Sequence, residues 1–239
     1  MQNNSIPNSV LLYGCPTEKA RNASFYVWTA DDKKANDFNE YLVEVRKHPT
    51  RLPLHKLYNI ISTIITLTKY IKSMHSSGLL NLDIKPTNLL FCYNSEFGVP
   101  TSNVSLFNID TIYPMSGFMP KASDIDGYRA PETWKGKSEN RSDIYSIGVL
   151  LFNAIIICDE IVGGLFKEEY YFRIDQLINS SALLSAINLN SFFYSIISRM
   201  LKKCLARRVQ QRYSCCEELI DDLSETKTIL LSALANHSK

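Results

Sequence analysis

Asp83, Lys85 and Asn88 are residue types that together can handle a phosphoryl group, and they stand five positions apart in one stretch, Asn81-Leu82-Asp83-Ile84-Lys85-Pro86-Thr87-Asn88-Leu89-Leu90. A carboxylate can accept or orient the proton of an attacking hydroxyl. A lysine two residues on can steady the phosphoryl oxygens as charge shifts during transfer. An asparagine five residues after the carboxylate offers a neutral oxygen to a hard cation. Chemistry of this kind depends on position and charge, so the elements around the stretch matter as much as its residues.

A long helix precedes the stretch and a strand follows it. Leu57, Ile61, Ile64, Leu67, Ile71 and Met74 recur at steps of three or four, which predicts a helix over Leu54–Ser77 stopped by Gly78. That periodicity is core packing and implies no cofactor. A short apolar strand is expected over Leu89–Cys92 and a second over Val104–Ile109, with a polar turn region at Tyr93–Asn103 between them. Thr111–Ile125 has no periodicity and reads as a long loop. Asp143–Cys158 is apolar nearly all round, which predicts a helix inside the core. Upstream, Val10–Tyr13 and Ser24–Trp28 read as strands, and Asp37–Lys47 as a helix with Phe38, Tyr41, Leu42 and Val45 on one face. Helix dominates, and all strands are expected before residue 110.

Composition narrows the classes of function. The chain has 239 residues, 45% hydrophobic and 21% charged, which is globular rather than disordered. Its net charge of +2 gives no global reason to bind nucleic acid or an anionic membrane. The longest mostly apolar run, Tyr145–Cys158, is too short to span a bilayer and carries Ser146, Gly148 and Asn153. The first fifteen residues lack the basic start and apolar core of a signal peptide, so a cytoplasmic protein is expected. Six cysteines include no C-x-x-C pair, which argues against zinc and for free thiols.

The Asp83-x-Lys85-x-x-Asn88 pattern resembles the catalytic loop of the eukaryotic-type protein kinases, H-R-D-x-x-x-x-N, with the lysine usual in Ser/Thr-type members. Four further segments agree in order. Val104-Ser105-Leu106-Phe107-Asn108-Ile109-Asp110 sits where the strand into the D-F-G motif belongs, and Tyr128-Arg129-Ala130-Pro131-Glu132 matches the A-P-E end of the activation segment. Ser142-Asp143-Ile144-Tyr145-Ser146-Ile147-Gly148 resembles the start of the buried helix of the large lobe, and Gln211-Arg212-Tyr213-Ser214 the late arginine region. The resemblance covers roughly residues 6 to 230. It implies that Asp83 is the base or hydroxyl-orienting group and that Lys85 meets the phosphoryl group. It implies structural roles elsewhere: Glu132 pairs with Arg212, and Asp143 accepts backbone N–H groups of the catalytic loop. Of the basic stretch Arg199, Lys202, Lys203, Arg207, Arg208 and Arg212, only the last is given a structural role; the others read as a solvated face, with a docking surface for an acidic partner as the alternative.

The departures from that family are as informative as the matches. No G-x-G-x-x-G loop and no V-A-I-K lysine precede the matched segments; Gly14 is the only glycine before Gly78. The first two strands resemble the last two of a kinase small lobe, so the chain is either a fragment or lacks the rest by nature. Asn81 and Leu82 replace the His and Arg of the catalytic loop. Thr111, Tyr113, Ser116 and Ser123 therefore have no arginine from this position to receive a phosphate. Ile125 stands where a threonine usually contacts the catalytic loop. The D-F-G aspartate aligns with Asn108 in one register; in another, Asp110 faces the metal. A shift of two keeps a strand residue on the same face, so alternation does not decide, and the approach Val104–Phe107 favours the first.

The expectation is a mainly α (α+β) fold: a protein-kinase-like large lobe over residues 37–239, with residual small-lobe strands and hinge in 1–36. The functional expectation is a degenerate pseudokinase acting as a binding or regulatory module. The alternative is an active Ser/Thr kinase that uses Mg²⁺ and ATP, with Asn88 and either Asp110 or Asn108 on the metal and a small lobe supplied elsewhere. If the chain is inactive, it needs neither cofactor. The expected partner is another protein, or a second copy, on the face that a small lobe would cover. Neither nucleic acid nor membrane is expected as a partner.

Overall fold

The computed structural model describes residues 35–46, 54–94, 99–106, 112–115, 127–155 and 191–237. The expected strands Val10–Tyr13 and Ser24–Trp28 lie outside these residues, as do Asn108, Asp110, Thr111, Ser116, Ser123 and Ile125.

Two long helices carry the core. Helix α2 (Leu54–Ser76) buries Leu57, Ile60, Ile61, Ile64, Leu67, Ile71 and Met74, the stripe that its periodicity predicts plus a flank. Gly78 ends it at φ +74°, a left-handed conformation that costs glycine least, and its N–H donates to His75 O at 2.9 Å. Helix α3 (Asn140–Ile155) is buried at every position from Ser142 to Ile155, so it is the axis on which the other helices lie. Helix α2 packs against α3 and along α5 (Cys216–His237), and α4 (Ser191–Cys204) packs on α3. Helix α1 (Phe38–Arg46) adds buried Phe38, Tyr41 and Leu42, with the two rings stacked at 6.0 Å.

The close approach of α3 and α4 depends on Gly148. A Cβ built there would lie 2.4 Å from Cys204 Cβ. A Cβ cannot swing aside as a side-chain tip can, so the helices themselves would have to part. Gly148→Ala is expected to destabilise the fold by about 1–3 kcal/mol, and Cys204→Gly to recover part of that loss. Urea denaturation of the two single variants and the double variant measures both terms. Additive losses would sink the account.

Strands β3 (Leu89–Asn94) and β4 (Val99–Leu106) form an antiparallel pair, and β1 (Ala35–Asp37) joins the other edge of β3. Strand β4 starts five residues earlier than the sequence pattern suggests. The register runs Leu89↔Leu106 to Phe91↔Val104, then shifts before Tyr93↔Pro100 and Asn94↔Val99. The polar Thr101-Ser102-Asn103 falls at that shift: an irregularity in the strand absorbs residues that read as a turn. A second small sheet pairs β2 (Leu79–Leu80) with β5 (Tyr113–Pro114). The segment after residue 111 is therefore not all loop, and one strand lies beyond residue 110. A two-residue strand containing proline has no alternation to detect; its pairing with β2 makes it. Among the described residues no helix is long and apolar enough to cross a membrane.

Candidate active site

Strand β2 leads straight into Asn81–Lys85, and a 3-10 turn at Pro86–Asn88 follows. Pro86 suits that first turn because its fixed φ is already helical and no N–H is needed there. The Asn88 N–H closes the turn on Lys85 O at 3.0 Å. The turn folds Asn88 back over Asp83. Asn88 Nδ2 donates to the Asp83 carbonyl at 2.9 Å and to Asp83 Oδ2 at 2.7 Å. Two acceptors fix which end of the amide faces Asp83, and the amide oxygen is left as a ligand for a hard cation. Asn88 thus fits one position of a Mg²⁺ site. The companion ligand, Asn108 or Asp110, lies outside the described residues.

The Asp83 carboxylate is only 4% exposed and is hemmed in by cations. Lys85 Nζ stands 3.1 Å from its Oδ1, and Arg129 Nη2 stands 3.6 Å from the same oxygen. The Asp83 N–H donates to the Asn81 side-chain oxygen at 3.2 Å. Asp83, Lys85 and Asn88 are thus brought together as a unit, with the acid in the centre.

Asp143, at the start of α3, holds the loop from below. Its Oδ2 accepts the Asn81 N–H at 2.9 Å and its Oδ1 the Leu82 N–H at 2.8 Å. His75, in the last turn of α2, brings Nε2 to Oδ2 at 2.9 Å. Leu82 sits at φ +59°, a conformation that costs a branched residue about 1–2 kcal/mol. The Asp143 bond and its apolar packing hold it there. Leu82 and Leu80 are buried, and Tyr113 and Met115 from the β5 region pack against them.

The end of the activation segment is fixed by a second polar knot. Arg212 grips Glu132 with both arms, Nη1 to Oε1 at 2.7 Å and Nη2 to Oε2 at 2.9 Å. Its Nε donates to Ala206 O and its Nη1 also to Arg141 O, and its guanidinium lies 4.7 Å over the Tyr145 ring. Ser142 Oγ donates to Glu132 Oε1 at 2.7 Å. Elsewhere in the basic stretch, Arg199 is largely exposed, and Lys203 pairs with Glu218 at 3.0 Å.

Sequence patterns did not single out His75 or Arg129. His75 faces Asp143 one helical turn beyond Ile71, so its position on the α2 face was the available signal. Cys216 Sγ approaches the other ring nitrogen of His75 at 3.5 Å, completing a Cys216–His75–Asp143 row. That row is not a nucleophile: Cys216 is buried, and burial pushes its thiol up to about 12. Its work is to orient His75 toward Asp143.

The sequence model of the protein kinase domain matches residues 10–223. The chain is 26% identical over 175 residues to a probable serine/threonine-protein kinase of Clostridium perfringens, covering 70% of this chain and 23% of that protein. It is 25% identical over 183 residues to a serine/threonine-protein kinase of Schizosaccharomyces pombe, covering 72% of this chain and 44% of that one. A receptor-like protein kinase of Arabidopsis thaliana is 27% identical over 155 residues, with 62% and 21% covered. The chain thus spans less than half the length of each of these relatives. With the loop, the anchoring aspartate and the Glu132–Arg212 pair in the order the family requires, the chain belongs to the protein kinase superfamily.

Proposed function

We propose that this kinase domain is a degenerate one, working as a binding or regulatory module rather than as a phosphotransferase. The observation that carries the reading is Leu82. The position that in the family offers an arginine to an activation-segment phosphate here offers an apolar side chain. That side chain is already packed with Leu80, Tyr113 and Met115. Among the described residues, Tyr113–Met115 are held by this packing and by the β2–β5 pair. In the register that sets Asn108 at the D-F-G aspartate, the sequence supports the same reading, since an amide there takes a full charge away from a Mg²⁺ ligand. The partner in this reading is a protein, or a second copy, docked on the side a small lobe covers.

One observation favours the alternative, an active Ser/Thr kinase: Lys85 and Asn88 both reach the Asp83 carboxylate. When bound, Mg·ATP would supply the transferable phosphoryl group. Asn88 would hold the metal, Lys85 would meet the phosphoryl oxygens, and Asp83 would take the acceptor proton.

Calorimetric titration with ATP, with and without Mg²⁺, separates the two readings. No heat of binding is expected from the parent protein. Mg²⁺-dependent binding that is lost in Asp110→Ala but kept in Asn108→Ala, with phosphotransfer lost in Asp83→Ala, would overturn the degenerate reading. Light scattering across a concentration series tests the association; a monomer at every concentration that binds no hydrophobic dye counts against it.

A further inference from the structure

Arg129, near the activation-segment end, approaches Asp83, and its neighbours in the chain are anchored from several sides. Tyr128 is buried, and its hydroxyl accepts Asn153 Nδ2 of α3 at 3.0 Å. Ala130 is buried, and its carbonyl accepts Thr133 Oγ1 at 2.6 Å. Glu132 is locked to Arg212. The residues on both sides of Arg129 are therefore anchored by burial and hydrogen bonds.

That side chain is poorly satisfied. It is 14% exposed, its Nε is buried without a hydrogen-bond partner, and its Nη2 stops 3.6 Å from Asp83 Oδ1, beyond hydrogen-bond length. Nε–H and one Nη2–H share an edge of the guanidinium, the edge that grips two oxygens of an oxyanion at once. Asp83 sits near that edge without filling it. A guanidinium kept in this state pays for desolvation without full return. A competing oxyanion must beat a neighbouring carboxylate, and a dianion has the advantage over another monoanion because Lys85 adds a second positive charge within reach.

We propose that Arg129 is a latch on Asp83: at rest it shields the carboxylate, and a phosphate monoester on a bound peptide takes its Nε/Nη2 edge and uncovers Asp83. The inference rests on the reading of Asp83 as the acid of a kinase catalytic loop. Arg129 is in this role a positioning residue, and the device serves a binding module as well as an enzyme. It makes the catalytic cleft respond to a phosphopeptide whether or not transfer follows.

The test is carbodiimide–amine labelling of carboxylates read by mass spectrometry, with exposed Asp221 as the internal reference. Sodium sulfate serves as the tetrahedral dianion, against sodium chloride at equal ionic strength. In the parent protein Asp83 is expected to label slowly, and sulfate to speed it by roughly threefold or more relative to Asp221. In Arg129→Gln, Asp83 is expected to label fast at an unchanged melting temperature, with no further effect of sulfate. Unchanged labelling of Asp83 in a folded Arg129→Gln overturns the latch. If that variant does not fold, the parent protein decides: a sulfate response at Asp83 no larger than at Asp221 overturns it too. A phosphotransfer assay keeps the two readings apart. Transfer that appears in Arg129→Gln and vanishes when Asp83→Asn is added leaves the latch standing and refutes the degenerate reading.

Discussion

Asp143→Ala is expected to lower stability by about 3–5 kcal/mol, a large share of the roughly 5–15 kcal/mol that holds a typical domain together. Asp143 has no exposed surface, and its two oxygens serve three partners. Alanine leaves the Asn81 and Leu82 N–H groups buried with no acceptor, at about 1–3 kcal/mol each. It also releases Leu82 from the bond that offsets its left-handed backbone. His75→Ala is the informative control. It removes one partner from Oδ2 but leaves both backbone bonds, so a smaller loss of about 1–2 kcal/mol is expected. Urea denaturation gives the magnitudes, and hydrogen exchange gives the place. The Asn81 and Leu82 amides should lose protection in Asp143→Asn before the rest of α3 does, because the amide keeps the shape but turns a donor toward one of them. Equal stability of parent and Asp143→Ala would mean that the loop is held by Leu82 packing alone.

The contrast between Asp143 and Leu82 shows what is legible in such a chain. Helices α2 and α3 are visible because burial leaves a mark on residue type at each turn: Leu57, Ile61, Ile64 and Ile71 on one, and almost the whole of Ser142–Ile155 on the other. Asp83, Lys85 and Asn88 are visible because their types and spacing suit one chemistry. The β2–β5 pair is not visible, because four residues with a proline among them carry no periodicity. Nor is the extent of β4, whose polar Thr101–Asn103 sits at a register shift. Arg129 stood in plain sight inside the Tyr128–Glu132 motif. Its reach to Asp83 joins residues 46 positions apart, and such a contact leaves no local pattern. Local order can be read from local sequence; the meeting of two loops cannot.

The second large effect is expected at Arg212. Its side chain is fully buried and makes four hydrogen bonds, two of them to Glu132. Arg212→Met removes the charge while keeping much of the volume. Glu132 is then left as a mostly buried carboxylate with only Ser142 Oγ beside it, and the carbonyls of Ala206 and Arg141 lose their donor. A loss of about 3–5 kcal/mol is expected, as for other buried pairs broken from one side. Arg212→Lys should not rescue it fully, because an ammonium cannot reproduce the fork on Glu132 while also reaching two carbonyls. Adding Glu132→Gln to Arg212→Met should restore part of the stability, since the stranded charge disappears; a coupling of about 1–3 kcal/mol is expected in that cycle. The consequence extends past stability. Arg129 lies three residues before Glu132, and Glu132 is one of the points that hold its backbone in place. In Arg212→Lys, at a temperature where the variant is still folded, Asp83 should therefore label faster with carbodiimide than in the parent. Slower or equal labelling would show that Tyr128 and Ala130 suffice to hold Arg129. A faster rate would show that a knot built on Arg212, 129 positions from Asp83 in sequence, governs access to the carboxylate at the centre of the site.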